Sequence, residues 1–260
     1  MKLGSILLGS ILVATMAQTA VAKDLVVGAN LGNVPWEFVN KDNQNAGFEI
    51  DLAEEVGKRL GRDVVVENIP FNGLFSAVQS GRIDIAVSSI TITAKRLESV
   101  SFAQPYYDSD QSLTTRSSNG VANLGEVKGK IVGVDTGSTG DMWISERKDE
   151  YKPKSISRYE GLAPAMLDLA AGRIDAYISD IPAVQYYIQD KPQYAVAERI
   201  PTGEQYSMML AKDAPLVAEV DSILTELKNE GFIAKTHEKW FGFPAPVTSS
   251  TVELRPLPGK

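Results

Sequence analysis

A four-residue segment occurs twice in this chain, and its two copies constrain the fold more than any other sequence feature. The Gly-Arg-Ile-Asp of residues 81–84 recurs at residues 172–175, which lie 91 positions later. Each copy follows a helical pattern and opens an apolar run typical of a strand. Because helix, glycine turn and strand is a common order, a chance recurrence stays open as an alternative. The favoured interpretation is a chain of two lobes with similar build.

The apolar pattern around the first copy alternates between short strands and helices. It predicts strands over residues 25–29, 64–66 and 83–87, and helices over residues 51–60 and 74–79. Helices of crossover length between β-branched runs are typical of parallel sheets packed between helices. The sequence therefore predicts the α/β class, and 260 residues with 43% hydrophobic side chains suffice for one large domain or two smaller ones.

Polar residues follow the predicted strand after each copy of the repeat. Ser88 and Ser89 follow the first strand, and Ser179 and Asp180 follow the second. In open α/β sheets, ligands bind beyond the carboxyl ends of the strands, so facing lobes would direct both pairs into one cleft.

Two extended stretches, at residues 109–116 and 206–211, are expected to connect the lobes. This places residues 23–112 and 210–260 in lobe 1 and residues 113–209 in lobe 2. The helices predicted near the C-terminus then belong to lobe 1.

Residues 1–22 are interpreted as a cleaved signal peptide. Lys2 precedes an apolar run over residues 3–17, and Ala20 and Ala22 lie just before the expected cleavage site. The alternative is a retained membrane anchor, although the run is short for a spanning helix. The chain contains no cysteine, which excludes disulfides and a lipid-attachment site, and a Gram-negative periplasm is the expected location. A net charge of -7 argues against a nucleic-acid partner, and a monomer is expected.

Three features of the sequence match the needs of a zwitterionic ligand such as a free amino acid. Arg96 can hold a carboxylate with its guanidinium fork, and the turn at residues 137–140 opens a helix whose N–H groups can hold the same carboxylate. Asp180 can pair with the ammonium group. Each has a structural alternative: a solvated arginine for Arg96, and simple helix caps for the turn and for Asp180.

Several motifs together make the chain similar to a known family, the solute-binding proteins of polar amino acid ABC transporters (solute-binding protein family 3), which includes histidine, lysine-arginine-ornithine and glutamine binders. The resemblance covers nearly the whole chain after residue 22. The motifs are Val-Pro-Trp-Glu-Phe at 34–38, Gly-Phe-Glu-Ile-Asp-Leu-Ala at 47–53, Ser-Ser-Ile-Thr-Ile-Thr at 88–93 with Lys95 and Arg96, Phe-Ala-Gln-Pro-Tyr-Tyr at 102–107, and residues 172–175 with Asp180.

The resemblance implies the two-lobed periplasmic binding protein fold of type II, with two hinge strands and the ligand in the cleft between the lobes. It also implies the roles of individual residues. The ligand carboxylate is assigned to Arg96, Thr91, Thr139 and Ser138, the ammonium to Ser89, Thr91 and Asp180, and the side chain to Asn30, Asn33, Trp36, Phe71 and Ser88. The implied partners are an amino acid ligand and the membrane permease and ATPase of an ABC importer.

Two positions depart from the family pattern. Asn33 stands where several relatives have an aromatic residue that stacks on the ligand. In this chain, Trp36, Phe71 or Trp143 would have to provide that aromatic surface. Trp36 is equally well explained as a core residue. Asn30 stands where binders of basic amino acids carry an aspartate, which makes a strongly cationic ligand less favoured. The identity of the ligand stays open.

The sequence thus predicts the extracytoplasmic binding component of an ABC importer, which captures a polar amino acid or a close derivative by lobe closure. No cofactor, metal or catalytic activity is expected. One alternative is an enzyme similar to cyclohexadienyl dehydratases, for which Glu37, Asp141 and Asp180 are the available acids near the cleft. A second is a ligand-sensing module for a chemoreceptor. Residues 42–47 are predicted to form a hairpin turn rather than a calcium loop.

Overall fold

The computed structural model describes residues 23–118 and 120–259, so the expected signal peptide lies outside the described residues. The chain begins with one lobe built on a parallel core. Its strands are β1 (Leu25–Ala29), β2 (Phe38–Val39), β3 (Asn45–Ala46), β4 (Val64–Asn68), β5 (Ile85–Val87) and β6 (Val100–Phe102), and its helices are α1 (Phe48–Arg59), α2 (Phe71–Gln79) and α3 (Ala94–Leu97). β1 pairs in parallel with β4 and β5, while β2 and β3 form the hairpin predicted around residues 42–47.

The chain then forms a second lobe of the same kind. Its strands are β7 (Tyr107–Arg116), β8 (Ile131–Asp135), β9 (Ser155–Tyr159), β10 (Ala176–Asp180) and β11 (Tyr194–Tyr206). Its helices are α4 (Thr139–Glu146), α5 (Lys148–Tyr151), α6 (Leu162–Ala170) and α7 (Ile181–Ile188), and a short 3-10 helix covers Leu124–Glu126. The strand order is β11-β7-β10-β8-β9, with β8 parallel to β9 and β10.

The C-terminal part returns to the first lobe. β12 (Met209–Ala211) inserts between β5 and β6, which completes a sheet of order β4-β1-β5-β12-β6. Helices α8 (Leu216–Asn229) and α9 (Phe232–Phe241) pack on α1 and share its apolar core. Within residues 23–118 and 120–259, no helix is long and apolar enough to cross a bilayer.

The two copies of the repeat perform the same structural task in the two lobes. The glycine of each copy ends a helix in the left-handed region, with φ of 72° in the first and 73° in the second. Asp84 exchanges two hydrogen bonds with the backbone of Val26, at 2.8 and 2.9 Å. Asp175 does the same with Ile131, at 2.8 Å in both directions. The α/β class and the expectation of two similarly built lobes are confirmed.

Two paired strands connect the lobes. The crossings lie on β7 and β11, which pair with each other and continue the second sheet as far as Tyr107 and Tyr206. The predicted boundary after residue 112 therefore falls inside β7. The rings of Tyr107 and Tyr206 nevertheless stack at 5.8 Å within the core of the first lobe. The two hinge strands are thus anchored in the core of the first lobe, while their backbones extend the sheet of the second lobe.

Candidate ligand-binding site

A cavity of about 170 Å³ lies between the two lobes, beyond the carboxyl ends of β1, β5, β8 and β10. Its position is the one that open α/β sheets offer to ligands. Ten residues that sequence reasoning assigned to the site line this cavity: Asn30, Asn33, Phe71, Ser88, Ser89, Thr91, Arg96, Ser138, Thr139 and Asp180.

Arg96 provides the positive charge of the cavity. Its side chain is buried, with 7% exposure, and its guanidinium donates to the carbonyl oxygens of Thr91 at 2.7 Å and of Gly137 at 3.3 Å. Burial lowers the pKa of Arg96 to about 10, against the opposing effect of the nearby Glu204 and Asp180 carboxylates. The guanidinium therefore keeps its charge at neutral pH. Its hydrogen bond to Thr91 lies within the first lobe, and its hydrogen bond to Gly137 reaches the second lobe.

Phe71 lies at the start of α2, beside Arg96. The guanidinium carbon is 5.5 Å from the centre of the Phe71 ring and 5.0 Å from that of Phe75. Cation–π contacts at this range favour a fixed, charged guanidinium. Phe71 thereby holds the arginine while also presenting an apolar surface to the cavity.

The second lobe contributes the start of α4. Ser138 caps this helix, since its hydroxyl accepts a hydrogen bond from the Asp141 N–H at 3.1 Å. The next residue, Thr139, begins the helix and lines the cavity, where free N–H groups and the helix dipole favour an anion. Gly140 lets the start of α4 lie close to Gln111 and to β10. A Cβ at residue 140 would lie 2.8 Å from the side-chain oxygen of Gln111 and 3.0 Å from the carbonyl oxygen of Ile178.

Asp180 ends β10 and faces the first lobe across the cavity. One carboxylate oxygen accepts from the Gln111 amide, and the other accepts from the Ser89 hydroxyl at 3.4 Å. Burial is the main cause that raises the pKa of Asp180 to about 8, and the negative charge of Glu204 adds to it. Among the described residues its hydrogen-bond donors are neutral, so this half-buried carboxylate has room for a cation as its partner.

Two buried glutamates lie beneath the serines of the first lobe. Ser88 donates to Glu37 at 2.6 Å, and the Ser89 N–H donates to Glu49 at 2.8 Å. Asn33 donates from its amide to Glu37 at 3.1 Å and to the Ser89 hydroxyl at 3.2 Å. Burial first, and the charge of Glu49 second, raise the pKa of Glu37 well above its usual value. Glu37 thus orients Ser88 and Asn33 from below and does not line the cavity.

The sequence-based assignment of Trp36 to the ligand side chain is corrected by its position in the structure. Its ring has no exposed surface and does not line the cavity. It lies in the core of the first lobe, with ring centres 4.5 Å from Tyr107 and 5.1 Å from Phe241. The apolar packing around the indole explains its placement, and the core interpretation of Trp36 is the one the structure supports.

Asp141, one of the acids considered for catalysis, also lies outside the cavity lining. It forms a two-pronged ion pair with Arg158, at 2.8 and 2.9 Å, and accepts the Gly137 N–H at 3.2 Å. These bonds lower the pKa of Asp141 below its usual value, against the effect of burial. Asp141 therefore stabilises the turn before α4.

Sequence reasoning did not identify Glu204, a buried hinge residue on β11. Its carboxylate accepts from the hydroxyls of Thr91 at 2.6 Å and Thr139 at 3.0 Å, and from the Gln111 amide at 3.1 Å. Thr91 belongs to the first lobe and Thr139 to the second, so Glu204 joins the lobes behind the cavity. Nothing in the pattern around residue 204 marks it as functional.

Asp135 and Glu160 were missed as well, although both line the cavity. Asp135 is the last residue of β8, and the rule that ligands bind at strand ends could have identified it. Its carboxylate accepts from the Tyr177 hydroxyl at 2.8 Å, and burial, with a smaller effect from Glu160, raises its pKa to about 6.

Comparison with known proteins gives one family over most of the chain. Residues 25–243 match the bacterial extracellular solute-binding proteins, family 3. The histidine-binding periplasmic protein of Salmonella typhimurium is 29% identical over 242 residues, with 88% of this chain and 92% of that protein covered. The arginine-binding extracellular protein of Bacillus subtilis is 28% identical over 222 residues, with 84% and 86% covered.

Solved structures agree with the sequence comparison. The arginine-, lysine-, histidine-binding protein of Geobacillus stearothermophilus superimposes with a TM-score of 0.79 at 31% identity, covering 86% of this chain and 97% of that one. An ancestral arginine-binding protein bound to arginine reaches a TM-score of 0.81 at 29% identity, with 86% and 100% covered. The fold is therefore the two-lobed amino-acid-binding fold that the sequence predicts. Together with the family match over residues 25–243, this likeness shows that the chain belongs to the bacterial extracellular solute-binding proteins, family 3.

Proposed function

We propose that this protein captures a polar amino acid between its lobes and delivers it to the permease and ATPase of an ABC importer, in the periplasm. The observation that carries the proposal is that Arg96 of the first lobe and Asp180 of the second lobe line the same cavity. Arg96 is buried and Asp180 is half-buried, so each side chain gains from a ligand group of opposite sign that replaces water beside it. A free α-amino acid supplies both groups on one carbon.

The carboxylate of the ligand is assigned to Arg96 and to the start of α4 at Ser138 and Thr139. The guanidinium keeps unused donors besides its bonds to Thr91 and Gly137, and the helix start adds N–H groups from the other lobe. The ammonium is assigned to Asp180, with Ser89 and Thr91 as neighbouring oxygen acceptors. Asn30, Asn33, Phe71 and Ser88 would contact the ligand side chain.

Closure of the lobes follows from the same contacts. Arg96, Ser89 and Thr91 belong to the first lobe, whereas Thr139 and Asp180 belong to the second. A ligand that binds the first lobe gains the remaining contacts only when the lobes meet. Its higher affinity for the closed form therefore drives the hinge.

Isothermal titration calorimetry of the ligand-stripped protein against the twenty amino acids tests this proposal. We expect tight binding of at least one polar amino acid and its loss in Asp180→Asn, with an unchanged fold by circular dichroism. Asp190→Asn is the matched control, because Asp190 is exposed on the same lobe and lies outside the cavity lining. Binding of no amino acid, or equal binding by Asp180→Asn, would contradict the proposal.

The proposed role is binding without turnover, and the relatives described above are binding proteins by name. Of the acids considered for an enzyme, Asp180 alone lines the cavity, while Glu37 and Asp141 are engaged elsewhere. Incubation with prephenate or arogenate tests the enzymatic alternative. We expect no product, and turnover that disappears in Asp180→Asn would overturn this part of the proposal.

A further inference from the structure

The charges that line the cavity do not balance. Among the described residues of the lining, Arg96 is the single cationic side chain, whereas Asp135, Glu160 and Asp180 are carboxylic acids. The α-carboxylate and ammonium of an amino acid account for Arg96 and Asp180. Asp135 and Glu160 are then left facing the same space without a cation.

The three acids follow consecutive strands of the second sheet. Outward from the hinge, the order is β7, β10, β8 and β9. Asp180 ends β10, Asp135 ends β8, and Glu160 directly follows β9. Since neighbouring strands lie about 4.8 Å apart, Asp135 is one strand step and Glu160 about two strand steps beyond the proposed ammonium site. A ligand side chain that extends away from the hinge would pass along this row.

Asp135 has an unused acceptor at this place. The Tyr177 hydroxyl donates to Oδ2 at 2.8 Å, but Oδ1 is buried and has no hydrogen-bond partner among the described residues. A buried oxygen of this kind is normally satisfied by a ligand, a water or an ion. Because Tyr177 holds the other oxygen, the carboxylate keeps its orientation at the end of β8.

The surrounding surface suits the stem of a long side chain. Leu162 and Pro164 line the cavity on the second lobe, and Phe71 lines it on the first. Asn30 adds a neutral polar group from the first lobe. Aliphatic and aromatic walls with a carboxylate beyond them fit a side chain that has an apolar stem and a charged end.

We propose that Asp135, supported by Glu160, binds a positively charged ligand side chain, so that the substrate class is the basic amino acids with an ammonium or guanidinium end. This inference rests on the proposed function, because it uses the space left by the α-carboxylate and ammonium. Residue 30 of the first lobe is a neutral asparagine, and the negative charge for the ligand side chain comes instead from Asp135 and Glu160 of the second lobe. The absence of an aspartate at residue 30 therefore does not disfavour a cationic ligand.

Calorimetry with arginine, lysine, citrulline and glutamine tests the inference, since citrulline has nearly the shape of arginine without its charge. We expect arginine or lysine to bind at least about 100-fold more tightly than citrulline. Asp135→Asn should remove most of this difference by weakening the basic ligand, while citrulline binding changes little. Glu160→Gln, at an exposed position, should weaken the basic ligand by a smaller factor of about 3 to 10.

Asp190→Asn serves again as the control, and thermal melts establish that each variant is folded. If Asp135→Asn does not fold, the ratio of arginine to citrulline affinity in the wild type and in Glu160→Gln still decides the question. Equal binding of charged and neutral ligands, with glutamine or citrulline bound tightly, would overturn the basic-ligand assignment and leave the proposed function intact. Binding of none of the amino acids would overturn both.

Discussion

The hydroxyl of Ser89 lies 3.4 Å from a carboxylate oxygen of Asp180, and the two residues occupy the same position in the two copies of the repeat. Each follows its Gly-Arg-Ile-Asp segment at the end of the next strand. Ser89 also has φ of 44°, a left-handed conformation in which its N–H is held by Glu49. The two lobes therefore meet at equivalent strand ends, where one supplies hydroxyls and the other a charge.

Removal of the guanidinium should affect ligand binding more than folding. Arg96→Met keeps an apolar stem between Phe71 and Phe75 but leaves the ligand carboxylate without its cation. We expect a loss of about 3 kcal/mol, on the order of 100-fold in Kd, by calorimetry. Arg82→Met, at an exposed ion pair with Glu67, is the control and should bind as the wild type does. An unchanged Kd in Arg96→Met would contradict the assignment.

Ligand binding should release a proton from Asp180 below pH 8. The pKa of this carboxyl is raised to about 8 by burial, so it is mostly protonated at neutral pH, and an adjacent ammonium favours the charged form. Affinity should therefore rise with pH up to about 8 and weaken as pH falls.

Calorimetry at pH 7 in two buffers of different ionisation enthalpy measures the released protons directly. Asp190→Asn, which keeps Asp180, should release the same number of protons as the wild type. A binding enthalpy that is independent of the buffer would exclude proton release at Asp180.

Glu204 should control the equilibrium between open and closed forms. Its Oε2 accepts from Thr91 of one lobe and Thr139 of the other. Glu204→Gln weakens both bonds and removes a negative charge beside Asp180. We expect a more open average shape in the absence of ligand, seen as a larger radius of gyration by small-angle X-ray scattering.

Glu198→Gln is a suitable control for Glu204→Gln, because Glu198 lies on the same strand and outside the cavity lining. Saturating ligand should return Glu204→Gln to the compact shape. A radius of gyration equal to that of the wild type without ligand would show that Glu204 does not hold the lobes together.

The stability of the first lobe should depend on the proton of Glu37. Its pKa is raised well above the usual value in the folded state, so the folded protein binds this proton more tightly than the unfolded chain. The corresponding stability is present at low pH and is lost as pH rises through the folded-state pKa.

Thermal melts between pH 5 and 9 compare the wild type with Glu37→Gln, which keeps a neutral polar group at the same place. We expect the melting temperature of the wild type to fall with rising pH more steeply than that of the variant. Parallel profiles would assign the pH dependence to other groups.

Half of the described residues that line the cavity could be predicted, because they lie in local motifs. Ser88, Ser89, Thr91 and Arg96 follow one strand in a short segment, and Asp180 repeats the position of Ser89. Trp36 shows the limit of this reasoning. An aromatic residue next to a site motif has the same sequence pattern whether its ring enters the cavity or the core, and only the packing of Tyr107 and Phe241 around it decides.

The sequence by itself determined the two-lobed α/β architecture and identified Arg96 and Asp180, which both line the cavity, because apolar periodicity and strand-end positions are local properties of the chain. The tertiary structure alone decided that Glu204 joins the lobes and that Asp135 and Glu160 line the same cavity as Asp180. These residues lie on different strands, and their proximity arises from strand order and from contact between the lobes. Both are long-range relationships that no segment of the chain contains.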